Sequence, residues 1–324
     1  MHFLERYQAI KSSFKGILTH NDGNLLYDDI QLQLIGREGL SIPNFMEKSP
    51  DQLTLNMSNF YDEVKFPNYD QCDDYASLID KAANNLFVYK IDQELGYGVK
   101  VLELGCGTGQ LSLYLARGNR EVYGVDISNG SLLLGEEFRV KNQINNAYFM
   151  KMDVFDLKFK SNTFDFTISN GVLHHTKDPR KAFKCLVDVT KPGGLIVIGL
   201  YHKHGRFFTR VKQKLTKVFG TKIYYLDRAS LRIKDTEKRN SWITDQFFNP
   251  HESLHTPKEV YDWFVEDDVD FLNLLPHSDE KNIPLFQERK PPSFSPLQEI
   301  LMAFNRTQIQ EGGFFVIVGR KKKN

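Results

Sequence analysis

Cysteine is scarce here. The chain has three in 324 residues, Cys72, Cys106 and Cys185, and no two share a paired spacing. That argues against a disulfide-stapled scaffold and against a zinc ribbon or knuckle. No apolar run approaches the roughly 20 residues that span a bilayer. The opening stretch MHFLERYQAIKSSFKGI lacks the apolar core of a signal peptide. An excess of one charge is also missing. Lys and Arg number 42 against 41 Asp and Glu, so the total charge names no partner. These absences predict a soluble, cytoplasmic protein with reduced thiols and no membrane partner.

What is present is unevenly spread. Residues 203–240 hold 12 Lys or Arg against 3 acids, and residues 241–280 hold one Lys against 10 acids. Residues 1–95 are irregular in pattern and read as an N-terminal extension, partly helical: DYASLIDKAANNLFVYKIDQELG predicts one helix with Leu78, Ala82, Leu86 and Tyr89 on one face, closed by Gly96 and Gly98. From Val99 onward, apolar runs alternate with amphipathic segments: VKVLEL, QLSLYLARG, EVYGVD, SNGSLLLGEEFRVKNQ, AYFMKMD, FDFTIS, DPRKAFKCLVDVT and LIVIGL. Continuous apolar strands alternating with helices predict a parallel sheet covered on both faces. Ser128 and Asp178 stand where helix caps belong, and Pro179 where a first helical residue belongs. The alternation breaks after Leu200. It resumes at TPKEVYDWFVE, whose Thr256 and Glu259 form a capping box, and continues with VDFLNLL, LQEILMAFN and GFFVIVGR. The expected organisation is one α/β domain from 96–202 and 256–321, interrupted by a basic insert at 203–255 that is expected to form part of the acceptor site, with the aromatic stretch SWITDQFFNPHESLHTPKEV near the pocket.

VLELGCGTG, Val101–Gly109, places a glycine turn between a strand and a helix. Bare backbone N–H groups at a helix start accept a ligand closely. Dinucleotide sites use the same device, but their G-x-G-x-x-G spacing would need glycine where Gln110 stands. Glu103 would repel a pyrophosphate and suits a cation or an ammonium group. Asp126 ends the second strand, where a carboxylate takes ribose hydroxyls. Asp153, with Val154 beside it, ends the third, and Asn170 the fourth. Open α/β sheets bind ligands at these carboxyl ends.

With VLELGCGTG, VYGVDIS, MDVFDL…NTFDFTISNGVLHHTKDP and VTKPGGLIVIG in order, the segment from about Val99 to Leu200 resembles a class I S-adenosylmethionine-dependent methyltransferase of the type 11 sort. The resemblance implies a Rossmann-like, seven-stranded, mostly parallel sheet with an antiparallel last strand. It implies S-adenosyl-L-methionine as cofactor, held by Glu103, Gly105, Cys106, Gly107, Asp126, Ile127, Asp153, Val154 and Asn170. The methionine end would lie near Gly105 and Gly107, the ribose at Asp126, and the adenine at Asp153 and Val154.

His174 and His175 follow the fourth strand, on the side where a methyl acceptor would enter. Adjacent residues on a turn point different ways, so at most one faces the acceptor; a histidine here either faces it or fixes the loop through backbone hydrogen bonds. His174 is the residue chosen as a general base. His175, Tyr201, Arg206 and His251 are further acceptor-site candidates, and no metal site is expected. In FYDEVKFPNYD, a candidate lid, Tyr61, Phe66 and Tyr69 are candidate pocket walls, with ordinary core packing the favoured reading. In the insert, Phe207, Val211, Leu215, Val218 and Phe219 share one helical face. That face is expected to pack on the core, leaving the cations solvated. The expected partner is a methyl acceptor, a small molecule rather than RNA, with no stable nucleic-acid partner. The alternative is a catalytically silent protein of the same fold that binds RNA or a partner through the basic insert.

Overall fold

The computed structural model describes residues 3–21, 24–37, 40–46, 50–64, 69, 74–219, 236–277, 281–304 and 313–323. Cys72, Phe66 and the middle of the insert lie outside this set, as do the side chains of Val218 and Phe219.

The predicted strand–helix alternation forms the centre of the molecule. Its strands are β1 (Lys100–Leu104), β2 (Glu121–Asp126), β3 (Ala147–Lys151), β4 (Phe164–Asn170), β5 (Thr190–Tyr201), β6 (Val269–Leu275) and β7 (Phe314–Lys321). Their spatial order is β3-β2-β1-β4-β5-β7-β6. β1 to β5 pair in parallel, and β7 runs antiparallel to both β5 and β6. The helices are α1 (Gln110–Leu115), α2 (Asn129–Lys141), α3 (Pro179–Val189), α4 (Phe207–Phe219), α5 (Thr236–Phe248), α6 (Pro257–Glu266) and α7 (Pro296–Phe304). Strands buried on both faces need apolar residues at successive positions. Leu102 and Leu104 accordingly enter one core, while Val101 enters the core on the other face. The expected caps form: Ser128, Asp178 and Thr256 each accept from the backbone N–H three residues on.

Three local expectations change. The sheet has nine strands, because the N-terminal hairpin Gln33–Arg37/Leu40–Asn44 joins its β3 edge through Asn44 and Lys151. An edge strand exposes unpaired backbone, and the hairpin covers β3. The single helix expected before Gly96 is two, Tyr75–Ala83 and Leu86–Glu94. Asn85 restarts the helix by accepting from Phe87 and Val88 N–H, which shifts the phase and leaves Tyr89 exposed. The KPGG turn is absorbed into β5 as an irregularity between Thr190 and Leu195, with Gly193 at φ +79°.

The insert leaves and re-enters the fold at one place. His255 N–H donates to Tyr201 O (3.0 Å), and Lys203 N–H donates to His255 O (2.9 Å). The excursion is thereby pinned beside the carboxyl end of β5.

Candidate active site

The glycine turn after β1 needs glycine for two reasons. Gly105, Gly107 and Gly109 have φ of +74°, +53° and +75°, a region that side chains disfavour. A Cβ on Gly105 would lie 2.4 Å from Val172, and one on Gly109 would lie 2.3 Å from the Phe149 ring. The turn packs against the loop after β4 on one side and against β3 on the other.

Asp126, at the end of β2, holds this turn. Its Oδ2 accepts from Gly107 N–H (2.8 Å) and its Oδ1 from Ser128 N–H (2.9 Å). Burial raises its pKa, and these backbone hydrogen bonds oppose the rise. Glu103 is more deeply set. Burial pushes its pKa up to about 8, opposed by the hydrogen bond that its Oε2 accepts from Ser112 Oγ (2.5 Å). Among the described residues no cation pairs with Glu103. A buried carboxylate held by the hydroxyl and the backbone N–H of Ser112, with no cation beside it among the described residues, is where an ammonium group would be stabilised. Asp153, at the end of β3, is half-buried and its pKa is raised by that burial; its Oδ1 accepts from Phe155 N–H (2.9 Å). The Cys106 thiol is pushed well above its ordinary value by burial, so it is neutral and no nucleophile.

Glu103, Gly105, Cys106, Gly107, Asp126, Ile127, Asp153, Val154 and Asn170 all line one cavity of about 960 Å³. His175, Tyr201 and Arg206 line the same cavity. Met57 and Tyr61, from the N-terminal helix Gln52–Glu63, border it too. Tyr69 instead stacks on Phe138 (4.4 Å between centroids) and donates its hydroxyl to Thr108 O (2.9 Å).

Distant segments of the chain assemble the second end of the cavity. Arg206, 3% exposed, forms a bidentate ion pair with Glu252 and donates to Gln246 Oε1. Its guanidinium carbon lies 3.7 Å from the Tyr201 ring centroid. Gln246 Nε2 in turn donates to Tyr201 Oη (2.8 Å). Trp242, Phe247 and Phe314 add apolar wall. Trp242, Gln246 and Phe247 come from the insert, in the stretch SWITDQFFNPHESLHTPKEV, and Phe314 from β7; none was singled out as a site residue, since no local motif marks them.

The two histidines divide their work. His174 is fully buried, with its ring 4.1 Å from Tyr201 and 4.2 Å from His175, and among the described residues neither ring nitrogen has a hydrogen-bond partner. Burial holds its pKa well below the ordinary value. It lies behind the cavity wall, and its backbone carbonyl accepts from Ser253 N–H (2.8 Å) and Oγ (3.1 Å). His175 lines the cavity, and its Nδ1 lies 2.6 Å from His251 O. A carbonyl only accepts, so Nδ1 carries the proton and Nε2 is the basic nitrogen. His251 contributes that carbonyl and is not a wall residue. Among the described residues no group of His, Cys, Asp and Glu is arranged to hold a metal ion.

Residues 102–198 match the family described as Methyltransferase domain. That match covers the segment whose motifs resemble the class I S-adenosylmethionine-dependent methyltransferases. An uncharacterized protein of Synechococcus is 25% identical over 268 residues, covering 74% of this chain and 63% of that protein. A demethylmenaquinone methyltransferase of Paenarthrobacter aurescens is 32% identical over 154 residues, covering 47% of this chain and 56% of that enzyme. The chain thus spans less than two thirds of either relative. The solved magnesium protoporphyrin IX methyltransferase of Synechocystis, with bound SAH, has a TM-score of 0.50 at 14% identity, covering 83% of this chain and 99% of that one. At that identity the likeness speaks for the fold. The methyltransferase domain supplies the glycine turn and the four strand ends, and the segments outside residues 102–198 supply most of the opposite wall.

Proposed function

We propose that the protein transfers a methyl group from S-adenosyl-L-methionine to a small organic acceptor lodged at the Tyr201–Arg206 end of the cavity. One observation carries this reading. The predicted cofactor residues and three of the four predicted acceptor residues, His175, Tyr201 and Arg206, border one continuous space large enough for both molecules. When bound, the sulfonium supplies an electrophilic methyl group and its own leaving group.

The residues of the chain have the remaining tasks. Glu103 would pair with the amino group, Asp126 would accept from ribose hydroxyls, and Asp153 with Val154 would receive the adenine. Gly105 and Gly107 let the methionine portion approach the backbone. Holding donor and acceptor in line is worth about 7–11 kcal/mol of barrier in well-oriented reactions. His175, in its Nδ1-protonated form, is the residue able to take a proton from an acceptor hydroxyl or amine, a contribution of about 10²–10⁴-fold where deprotonation is needed. This assigns the base role to His175 and a packing role to His174.

A small acceptor is favoured over RNA because the charge of Arg206 is already met by Glu252. The surrounding wall is mainly aromatic, with Tyr201, Trp242, Phe247 and Phe314, although Lys212 also borders it. The test is isothermal calorimetry with S-adenosylhomocysteine, followed by transfer of labelled methyl into fractionated extract. Binding with label in a metabolite fraction is expected. Absence of binding by the wild-type protein would overturn the proposal, and label in RNA alone would overturn its acceptor.

A further inference from the structure

Helix α4 is turned the opposite way from its expected orientation. Its polar residues face the body: Thr209 and Lys212 border the cavity, and Gln213 Nε2 donates to Gln246 O (2.9 Å). Its apolar stripe faces water, with Phe207 61%, Val211 39% and Leu215 40% exposed. At about 100° per residue these three positions span an arc of roughly 80°. Exposed Arg210 and Lys214 flank the stripe on one side, and half-buried Lys212 flanks it on the other.

Helix α7 repeats the pattern independently. Leu297 is 66% exposed, Leu301 60% and Ile300 39%. Its inward side carries Glu299, which accepts from Lys258 N–H (3.0 Å), and Ala303, which borders the cavity. Exposed apolar patches on two helices that border one cavity mark an interaction site. An aliphatic stripe set between cations fits the boundary between headgroups and acyl chains, where the stripe enters hydrocarbon and the cations meet lipid phosphates. RNA would use the cations but has no partner for Val211, Leu215, Leu297, Ile300 and Leu301.

We propose that the protein docks on an anionic lipid bilayer surface through α4 and α7, holding the cavity at that surface. Among the described residues no helix is long and apolar enough to cross a membrane. An interfacial helix needs no such length. The expectation of no membrane partner considered only spanning segments. The proposal rests on side-chain placement and stands apart from methyl transfer.

The test is flotation of the full chain with phosphatidylcholine vesicles and with mixed phosphatidylcholine–phosphatidylglycerol vesicles. Binding to the mixed vesicles is expected, weakened by salt and by omission of phosphatidylglycerol. Val211→Glu/Leu215→Glu and Leu297→Glu/Leu301→Glu should each weaken it about tenfold or more, because each puts charge into the apolar boundary. Arg210→Ala/Lys214→Ala alters two exposed side chains and should cost about fivefold per cation, the equivalent of about 1 kcal/mol each near anionic lipid. Thermal midpoints close to wild type would show that the variants fold. Three results would each overturn the proposal: no flotation of the wild-type chain, flotation unaffected by all three double variants, or polyuridine RNA bound more tightly than vesicles with the stripe variants unaffected. A stable dimer dissolved by the Leu297/Leu301 change, without flotation, would instead assign the α7 face to a second copy.

Discussion

At one end of the cavity the polar groups come from strand ends a few residues from the turn they support. At the other they come from segments 40 and 46 residues apart, Arg206 with Gln246 and with Glu252. The first end is held by backbone. Gly107 and Ser128 N–H groups fix Asp126, and the sheet fixes the rest. The second is held by one buried ion pair and the aromatic ring beside it. A backbone-built site tolerates the loss of a side chain with its shape intact. A site built on paired charges does not, and the variants below separate the two.

The largest effect is expected at the ion pair. Glu252→Ala leaves the Arg206 guanidinium buried and unmatched, which typically costs about 3–5 kcal/mol. Chemical denaturation should show that loss. The double variant Arg206→Met/Glu252→Leu removes both charges and should recover most of it. A single variant as stable as the wild type would mean that the acceptor wall does not depend on the pair.

At the backbone-built end, Asp126→Ala should cost less stability than breaking the ion pair, about 1–3 kcal/mol for the Gly107 and Ser128 N–H groups left without their acceptor, and weaken S-adenosylhomocysteine binding about 10–100-fold. That range corresponds to hydrogen bonds with a charged group, about 1.5–3 kcal/mol. Calorimetry reads it directly. An unchanged dissociation constant would remove the ribose assignment.

Glu103 should matter less at neutral pH, because its ionisation opposes its pairing. With a pKa of about 8 in the free site, it is mostly protonated at pH 7, and ionising it there costs about 1.4 kcal/mol. Pairing with an ammonium group requires the carboxylate, so binding should release part of a proton. The release is largest between the ordinary value near 4.5 and about 8, and fades above that. Folding of the unliganded chain takes up a proton across the same window, so stability from this group falls as pH rises toward 8. Calorimetry in buffers of different ionisation enthalpy would measure the release. Glu103→Gln should abolish it and weaken binding about fivefold.

The contrast between the two ends also explains what could be read from the chain in advance. Strand, glycine turn and acidic strand end lie within a few residues, so their meeting place follows from the doubly wound topology. Gln246 and Phe314 meet Tyr201 only through the pinned base of the insert and the last strand, and no local spacing encodes that. The hairpin at Gln33–Asn44 was hidden because a short edge hairpin, exposed along one strand, carries little apolar pattern. For α4, periodicity showed that Phe207, Val211 and Leu215 share a face. It did not show which way the face turns, and body contacts through Thr209 and Gln213 turn it outward.

The smallest effect belongs to the pair of histidines, where identical side chains at adjacent positions gave no basis for choosing between them. The 3₁₀ turn Leu173–His175 sends one ring inward and the other to the cavity. His174 keeps two ring nitrogens buried without partners among the described residues, an arrangement that costs stability. Its lowered pKa means that the folded chain rejects a proton that the unfolded chain takes up below about pH 6.5. Stability from this position is therefore lost progressively as pH falls through that value. His174→Phe fills similar volume without polar atoms. It should stabilise the fold by up to about 1 kcal/mol at pH 7 and by more at pH 5. Turnover should survive His174→Phe and fall in His175→Phe. Thermal melts across pH, paired with the labelled-methyl assay, would check both. A destabilised His174→Phe, or a gain that does not grow toward low pH, would mean that the buried ring has a partner when the chain is in solution.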